Sequence, residues 1–227
     1  MSLVLAAHGT RKPAGVSMIG ELAQRVSGLL GRPVHVSFVD VLGPTPAEVI
    51  ATLPTDAPVV VVPAFLAAGY HVRTDVPAYV AASGHPAVTI TAPLGPDHGP
   101  VRVMAHRLAE SGWCPGDSVI MAAAGTSDPG ARSDLRRTAT ILSAMTGDRV
   151  QLAYAATVAE AVAAQRRRSH RRVVVASYLL ADGLFQDRLR DSGADLVSAP
   201  LGTHPGLVRL TANRFRRAGV LSLPAAA

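Results

Sequence analysis

The sequence predicts an α/β protein of two similar lobes, each a mainly parallel four-stranded sheet flanked by helices, arising by internal duplication. Three observations carry this expectation. Short β-branched runs alternate with longer amphipathic segments, the strand runs are apolar almost throughout, and the two halves of the chain share sequence. Near-continuous apolar strands separated by helices belong to parallel sheets covered on both faces. Each lobe therefore reads as flavodoxin- or Rossmann-like.

In the first half, strands are expected at Leu3–Ala7, Val34–Val39, Val59–Pro63 and Val88–Thr91, with helices at Ser17–Leu30, Ala47–Leu53 and Val101–Glu110. In the second, strands are expected at Ser118–Ala123, Val150–Tyr154, Val173–Ser177 and Asp195–Ser198, with helices at Arg132–Met145, Val158–Arg168 and Leu207–Arg217. The repeat is direct. Ala92–Gly112 (APLGPDHGPVRVMAHRLAESG) aligns without a gap to Ala199–Gly219 (APLGTHPGLVRLTANRFRRAG), and LVLAAHGTRKPAG from Leu3 matches VIMAAAGTSDPGA from Val119. Pro115 and Gly116 punctuate the join, dividing the chain into residues 1–114 and 115–227.

Composition narrows the classes. Of 227 residues, 48% are hydrophobic and 17% charged, enough apolar material for packed cores. Only the Ala-rich end after Pro224 reads as disordered. No apolar run approaches the roughly 18 residues of a membrane helix. Met1–Leu5 leads directly into a strand without a basic leader region, so no secretory signal is expected. The lone Cys114 rules out an internal disulfide and a zinc-finger framework. Together these features predict a cytoplasmic protein.

The net charge of +6 and pI of about 10.4 favour polyanionic partners, among them nucleic acid, acidic membrane surfaces and carboxylate-rich substrates. Arg166, Arg167, Arg168, Arg171 and Arg172 supply much of the excess and read as a solvated helix end. With 4% aromatics there is little for base stacking, and nucleic acid is not an expected partner. No dinucleotide or P-loop glycine pattern occurs.

The duplication acts as an internal control, because a scaffold copied twice need keep its chemistry only once. His8 corresponds to Ala124, Asp40 to Ala156 and, with a one-residue shift, His71 to Phe185. Each of the three follows the carboxyl end of an expected strand, where open parallel sheets bind ligands. They should line one crevice. Two imidazoles and a carboxylate suit a borderline divalent cation such as Fe(II), Co(II) or Ni(II), and they can also accept protons. Taken singly, each has a structural reading as a cap or turn residue. Gly9-Thr10 offers a generic anion site at a helix start. Arg11, Lys12 and Arg73 flank the two histidines and suit carboxylate partners, or equally open solvent. His35 reads as half-buried within a strand. His85, His98, His106, His170 and His204 read as surface residues without partners.

AAHGTRKPAG, the strand end FVD followed by PTPAEV, and VPAFLAAGYHVRTDVP resemble the class II chelatases of the sirohydrochlorin chelatase type. The specific motifs fall within about the first 95 residues, while the architecture covers both halves. The resemblance implies insertion of ferrous iron or cobalt into sirohydrochlorin, for siroheme or cobalamin. It implies His8 and His71 as metal-holding and proton-relaying residues in the N-terminal lobe, with Asp40 standing where the family often has glutamate. It also implies a tetrapyrrole between the lobes, no permanently bound cofactor because the metal is a substrate, and a monomer. Iron is placed slightly ahead of cobalt, with nickel also compatible. The rival readings are a metal or tetrapyrrole carrier without turnover and a histidine phosphotransferase. The latter wants an arginine immediately before the histidine, where this chain has Ala7.

Overall fold

A computed structural model describes residues 1–221; the Ala-rich end after Pro224 lies outside them. Two four-stranded, all-parallel sheets are present, with the orders β2-β1-β3-β4 and β6-β5-β7-β8. The strands are β1 Ser2–Ala7, β2 Val34–Phe38, β3 Val59–Pro63, β4 Val88–Ile90, β5 Ser118–Ala123, β6 Gln151–Tyr154, β7 Val173–Tyr178 and β8 Leu196–Val197. The central strands β3, β5 and β7 are buried at every residue, as covering on both faces requires. His35 instead sits exposed on the edge strand β2, which has a sheet partner on one side only, correcting the half-buried expectation.

The helices are α1 Pro13–Leu30, α2 Pro46–Ala51, α3 Val76–Ala82, α4 His98–Glu110, α5 Pro129–Thr146, α6 Val158–Arg168, α7 Leu184–Arg190 and α8 Pro205–Leu221. Four of them start at a proline, whose fixed φ and missing N–H suit the first helical position. Hence α1, α2, α5 and α8 begin earlier than the apolar periodicity alone predicts. At α2 the start is reinforced by a capping box between Thr45 and Glu48. α3 and α7 have seven residues each, too few to display a helical repeat in sequence.

The two halves interlock. α4, the last helix of the first half, packs against β7 and α5 of the second, while α8 packs against α1 and β3 of the first. One continuous cluster of buried side chains therefore runs from Leu3, Leu22 and Met104 to Met121, Leu142 and Phe215. Two smaller clusters cover the outer faces of the sheets, around Ile50 and Val61 and around Val162 and Val175.

The arginine cluster takes part in this packing. Arg166 pairs with Asp195, Arg171 with Asp148, and Arg172 with Asp117 in the join between the halves. Arg172 also donates to the Gly112 carbonyl. Its hydrogen bond to Asp117, assisted by the Cys114 backbone N–H, holds the Asp117 carboxyl below the usual aspartate value. Arg166, Arg167 and Arg168 fill the exposed last turn of α6, as the helix-end reading expects, and three of the five cations carry surface ion pairs. Among the described residues no helix is long and apolar enough to cross a membrane.

Candidate active site

His8, Asp40 and His71 converge. One side-chain ligand atom from each lies within 4.8 Å of the others, and the two imidazole rings meet edge to face with centroids 4.7 Å apart.

Parallel pairing begins the construction. Ala7 at the end of β1 is in register with Phe38 of β2, so His8 and Asp40 emerge side by side. The Asp40 N–H donates to the His8 carbonyl (3.2 Å) and the Val39 N–H to the Ala7 carbonyl (2.9 Å), tying the two loops together. Gly9 makes this approach possible: its φ is +90°, and a Cβ there would lie 2.4 Å from the Asp40 carbonyl oxygen. The Asp40 carboxylate accepts from the Val41 N–H at 2.7 Å.

His71 arrives by a longer route. After β3, the chain from Ala64 to Tyr70 leads into one π-helical turn, His71–Asp75, whose His71 carbonyl accepts from the Val76 N–H. Such turns are rare and re-aim side chains within an otherwise α-helical path. Here the turn faces His71 Nδ1 toward Asp75 Oδ2 at 2.5 Å, leaving Nε2 available. The preceding loop rests on Gly95, where a Cβ would meet the Leu66 carbonyl oxygen at 2.3 Å. From the second lobe, the buried Tyr178 hydroxyl donates to the same carbonyl at 3.0 Å.

Beside the trio lies a cleft of about 770 Å³ between the lobes, lined by His8 and His71 but, contrary to expectation, not by Asp40. Its walls come from the loops after β1 and β3 on one side and after β5 and β7 on the other, all at carboxyl ends of strands. Four large apolar side chains stand exposed on it: Val41, Tyr70, Leu184 and Phe185. Pro63 of β3 and Ser177 of β7 occupy matching registers, and His71 and Phe185 each lie eight residues beyond. The second lobe thus presents an aromatic ring where the first presents an imidazole. Ala124 takes the position that corresponds to His8, so the ligating side chains come from the first lobe alone, while both lobes contribute apolar surface to the cleft.

The flanking cations separate in space. Arg11 and Lys12 line the cleft, and the Lys12 ammonium reaches across it to the Asp187 carboxylate of α7. Arg73 does not line the cleft; its guanidinium lies against Gly130 in the first turn of α5. Sequence reasoning missed Asp75, although its four-residue spacing from His71 was a usable signal, and it missed the exposed apolar side chains on the cleft. His106 and His204, expected to lack partners, contact one another and Glu110. His85 also has a partner, the Pro54 carbonyl.

A sequence model of the CbiX family matches residues 2–111 and again residues 118–218. No curated protein matches the chain by sequence. Among solved structures, SirB from Bacillus subtilis with Fe3+ superposes with a TM-score of 0.82 at 20% identity, covering 97% of this chain and 96% of that one. The sirohydrochlorin chelatase SirB from Bacillus subtilis subspecies spizizenii in complex with cobalt gives 0.79 at 21% identity, with 97% and 96% covered. CbiX, the terminal enzyme for biosynthesis of siroheme in denitrifying bacteria, gives 0.69 at 20% identity, with 96% and 99% covered. At these identities the superpositions speak for the fold, and the twofold match of the family model speaks for the descent. The chain belongs to the CbiX family.

Proposed function

We propose that this protein inserts a divalent metal into sirohydrochlorin, with ferrous iron ahead of cobalt and nickel also accommodated, in siroheme or cobalamin synthesis. The observation that carries the reading is the His8–Asp40–His71 cluster, whose two histidines line an interlobe cleft, retained in one half of a duplicated chain and absent from the other. Relatives of the same fold are described with Fe3+ and with cobalt.

The chemistry follows from the donor atoms. Metal entry replaces two pyrrole N–H protons, so the site has to bring a cation to the ring and take two protons away. Imidazole nitrogens and a carboxylate suit Fe(II), Co(II) and Ni(II) alike, which leaves supply to decide among them. With its Nδ1 proton held by Asp75, His71 offers Nε2 either to the metal or to a pyrrole proton. His8, whose Nδ1 lies 3.2 Å from the Gly9 carbonyl, offers Nε2 in the same way. Asp40 balances the cation's charge. Leu184 and Phe185 would support the far face of the macrocycle, with its nitrogens toward the histidines. Arg11 and Lys12 would meet peripheral carboxylates, Lys12 exchanging Asp187 for substrate; Arg73 would do so from outside the cleft. The chain acts as a cytoplasmic monomer in this reading, since one chain already builds both cleft walls.

The test follows sirohydrochlorin absorbance anaerobically with Fe(II), Co(II) or Ni(II). A rate well above the spontaneous one for at least one metal supports the proposal and ranks the metals. Tight tetrapyrrole binding without acceleration by any metal favours the carrier reading instead.

A further inference from the structure

We propose that His106, Glu110 and His204 form a second site for a borderline divalent cation such as Zn(II), Co(II) or Ni(II), bridging the two halves of the chain outside the cleft. His106 and Glu110 stand one turn apart on α4, and His204 immediately precedes α8. These are the two helices that cross between the halves, so the cluster sits where they meet.

The geometry suits coordination. His106 Nδ1 lies 3.1 Å from both Glu110 Oε1 and His204 Nε2, and one ligand atom from each of the three residues falls within 4.8 Å of the others. Two imidazoles and one carboxylate are a common ligand set for such ions, with water completing the shell. His106 and Glu110 are exposed, which leaves room for that water. The second carboxylate oxygen, Glu110 Oε2, is held by Arg107 at 2.8 Å, orienting Oε1 toward the histidines.

Proton accounting points the same way. His204 Nδ1 accepts from the Gly206 N–H at 3.0 Å, so a neutral His204 carries its proton on Nε2, facing His106 Nδ1. If His106 Nδ1 accepts that proton, Glu110 Oε1 faces a lone pair. If His106 Nδ1 is itself protonated toward Glu110, two N–H groups face each other. Neutral rings cannot satisfy both contacts, whereas a cation among the three atoms satisfies every lone pair. Coordination through Nε2 moves the His204 proton to Nδ1, where it faces the Gly206 N–H 3.0 Å away, so binding has to turn the ring or shift the start of α8 and the gain in the cluster is partly offset there.

The duplication supplies a control here too. In the gapless alignment, His106, Glu110 and His204 correspond to Asn213, Arg217 and Asp97. Asp97 pairs with Arg214 and Asn213 accepts from Arg216. That corner of the fold is held without ligating histidines, so the scaffold does not require them.

The test is Co(II) titration of the chelator-stripped full chain carrying His8→Ala and His71→Ala, which silences the cleft. One bound equivalent is expected by calorimetry, with a visible d–d spectrum and a metal-dependent rise in melting temperature. All three signals should disappear on adding His106→Ala, and weaken on adding Glu110→Gln, which keeps the side chain's size. Melting without metal checks that these variants remain folded. Absence of a bound equivalent in the His8/His71 variant, or its survival on adding His106→Ala, overturns the proposal.

Discussion

Truncation of Asp75 to alanine isolates the contact that orients His71. His71 Nδ1 and Asp75 Oδ2 are 2.5 Å apart, with side chains 32% and 27% exposed. A hydrogen bond to a charged group contributes about 1.5–3 kcal/mol. At about 1.4 kcal/mol per tenfold in rate, its loss should lower kcat roughly 10–100-fold. KM for the tetrapyrrole should stay near the wild-type value, because Asp75 does not line the cleft. The protein should stay folded, since Asp75 caps no helix N–H, although loss of the bond should lower the melting temperature by several degrees. Asp75→Asn keeps an acceptor but not its charge, and should fall between wild type and Asp75→Ala. The assay is initial-rate metallation under anaerobic conditions over a range of sirohydrochlorin concentrations. Retention of kcat within about twofold in Asp75→Ala, in a folded protein, would refute the assignment of Asp75 as the positioning residue for His71.

Three further outcomes follow from the packing. Tyr178→Phe removes the buried hydroxyl that links the second lobe to the Leu66 carbonyl. It should cost about 1 kcal/mol or somewhat more and lower the single melting transition by roughly 2–4 °C, read by calorimetry. Arg172→Ala should destabilise most at neutral pH. The Asp117 carboxyl is lowered in the fold from its ordinary 3.8, so its contribution is present above about pH 4 and fades as pH falls through the lowered value. Urea midpoints of wild type and variant should therefore approach one another in acid, and a constant gap would contradict the ion pair's role. Phe185→Ala should raise KM about tenfold with kcat nearly kept, since it removes apolar surface from the wall facing the macrocycle and no proton acceptor.

What the sequence made legible was whatever has a local signature. The central strands β3, β5 and β7 were readable because a strand buried on both faces is a continuous apolar run, as in Val59–Pro63 and Val173–Tyr178. The trio was readable because one half of the chain keeps it and the other does not. The π-helical turn at His71–Asp75 was not, since its geometry differs from an α-helix in hydrogen-bond register rather than in residue type. The interlocking of α4 and α8 was equally hidden: an amphipathic helix shows that it covers a sheet without showing which one. For the same reason His106 and His204 looked solitary, although they are near neighbours across 98 residues of chain.

The most direct test of the account is a paired measurement on the His8→Ala, His71→Ala double variant: tetrapyrrole affinity by fluorescence quenching, and metallation rate by absorbance. The account predicts near-wild-type sirohydrochlorin binding with a rate no greater than the spontaneous one for every metal tried. A double variant that still accelerates insertion would contradict it, and would move the chemistry away from the N-terminal histidines.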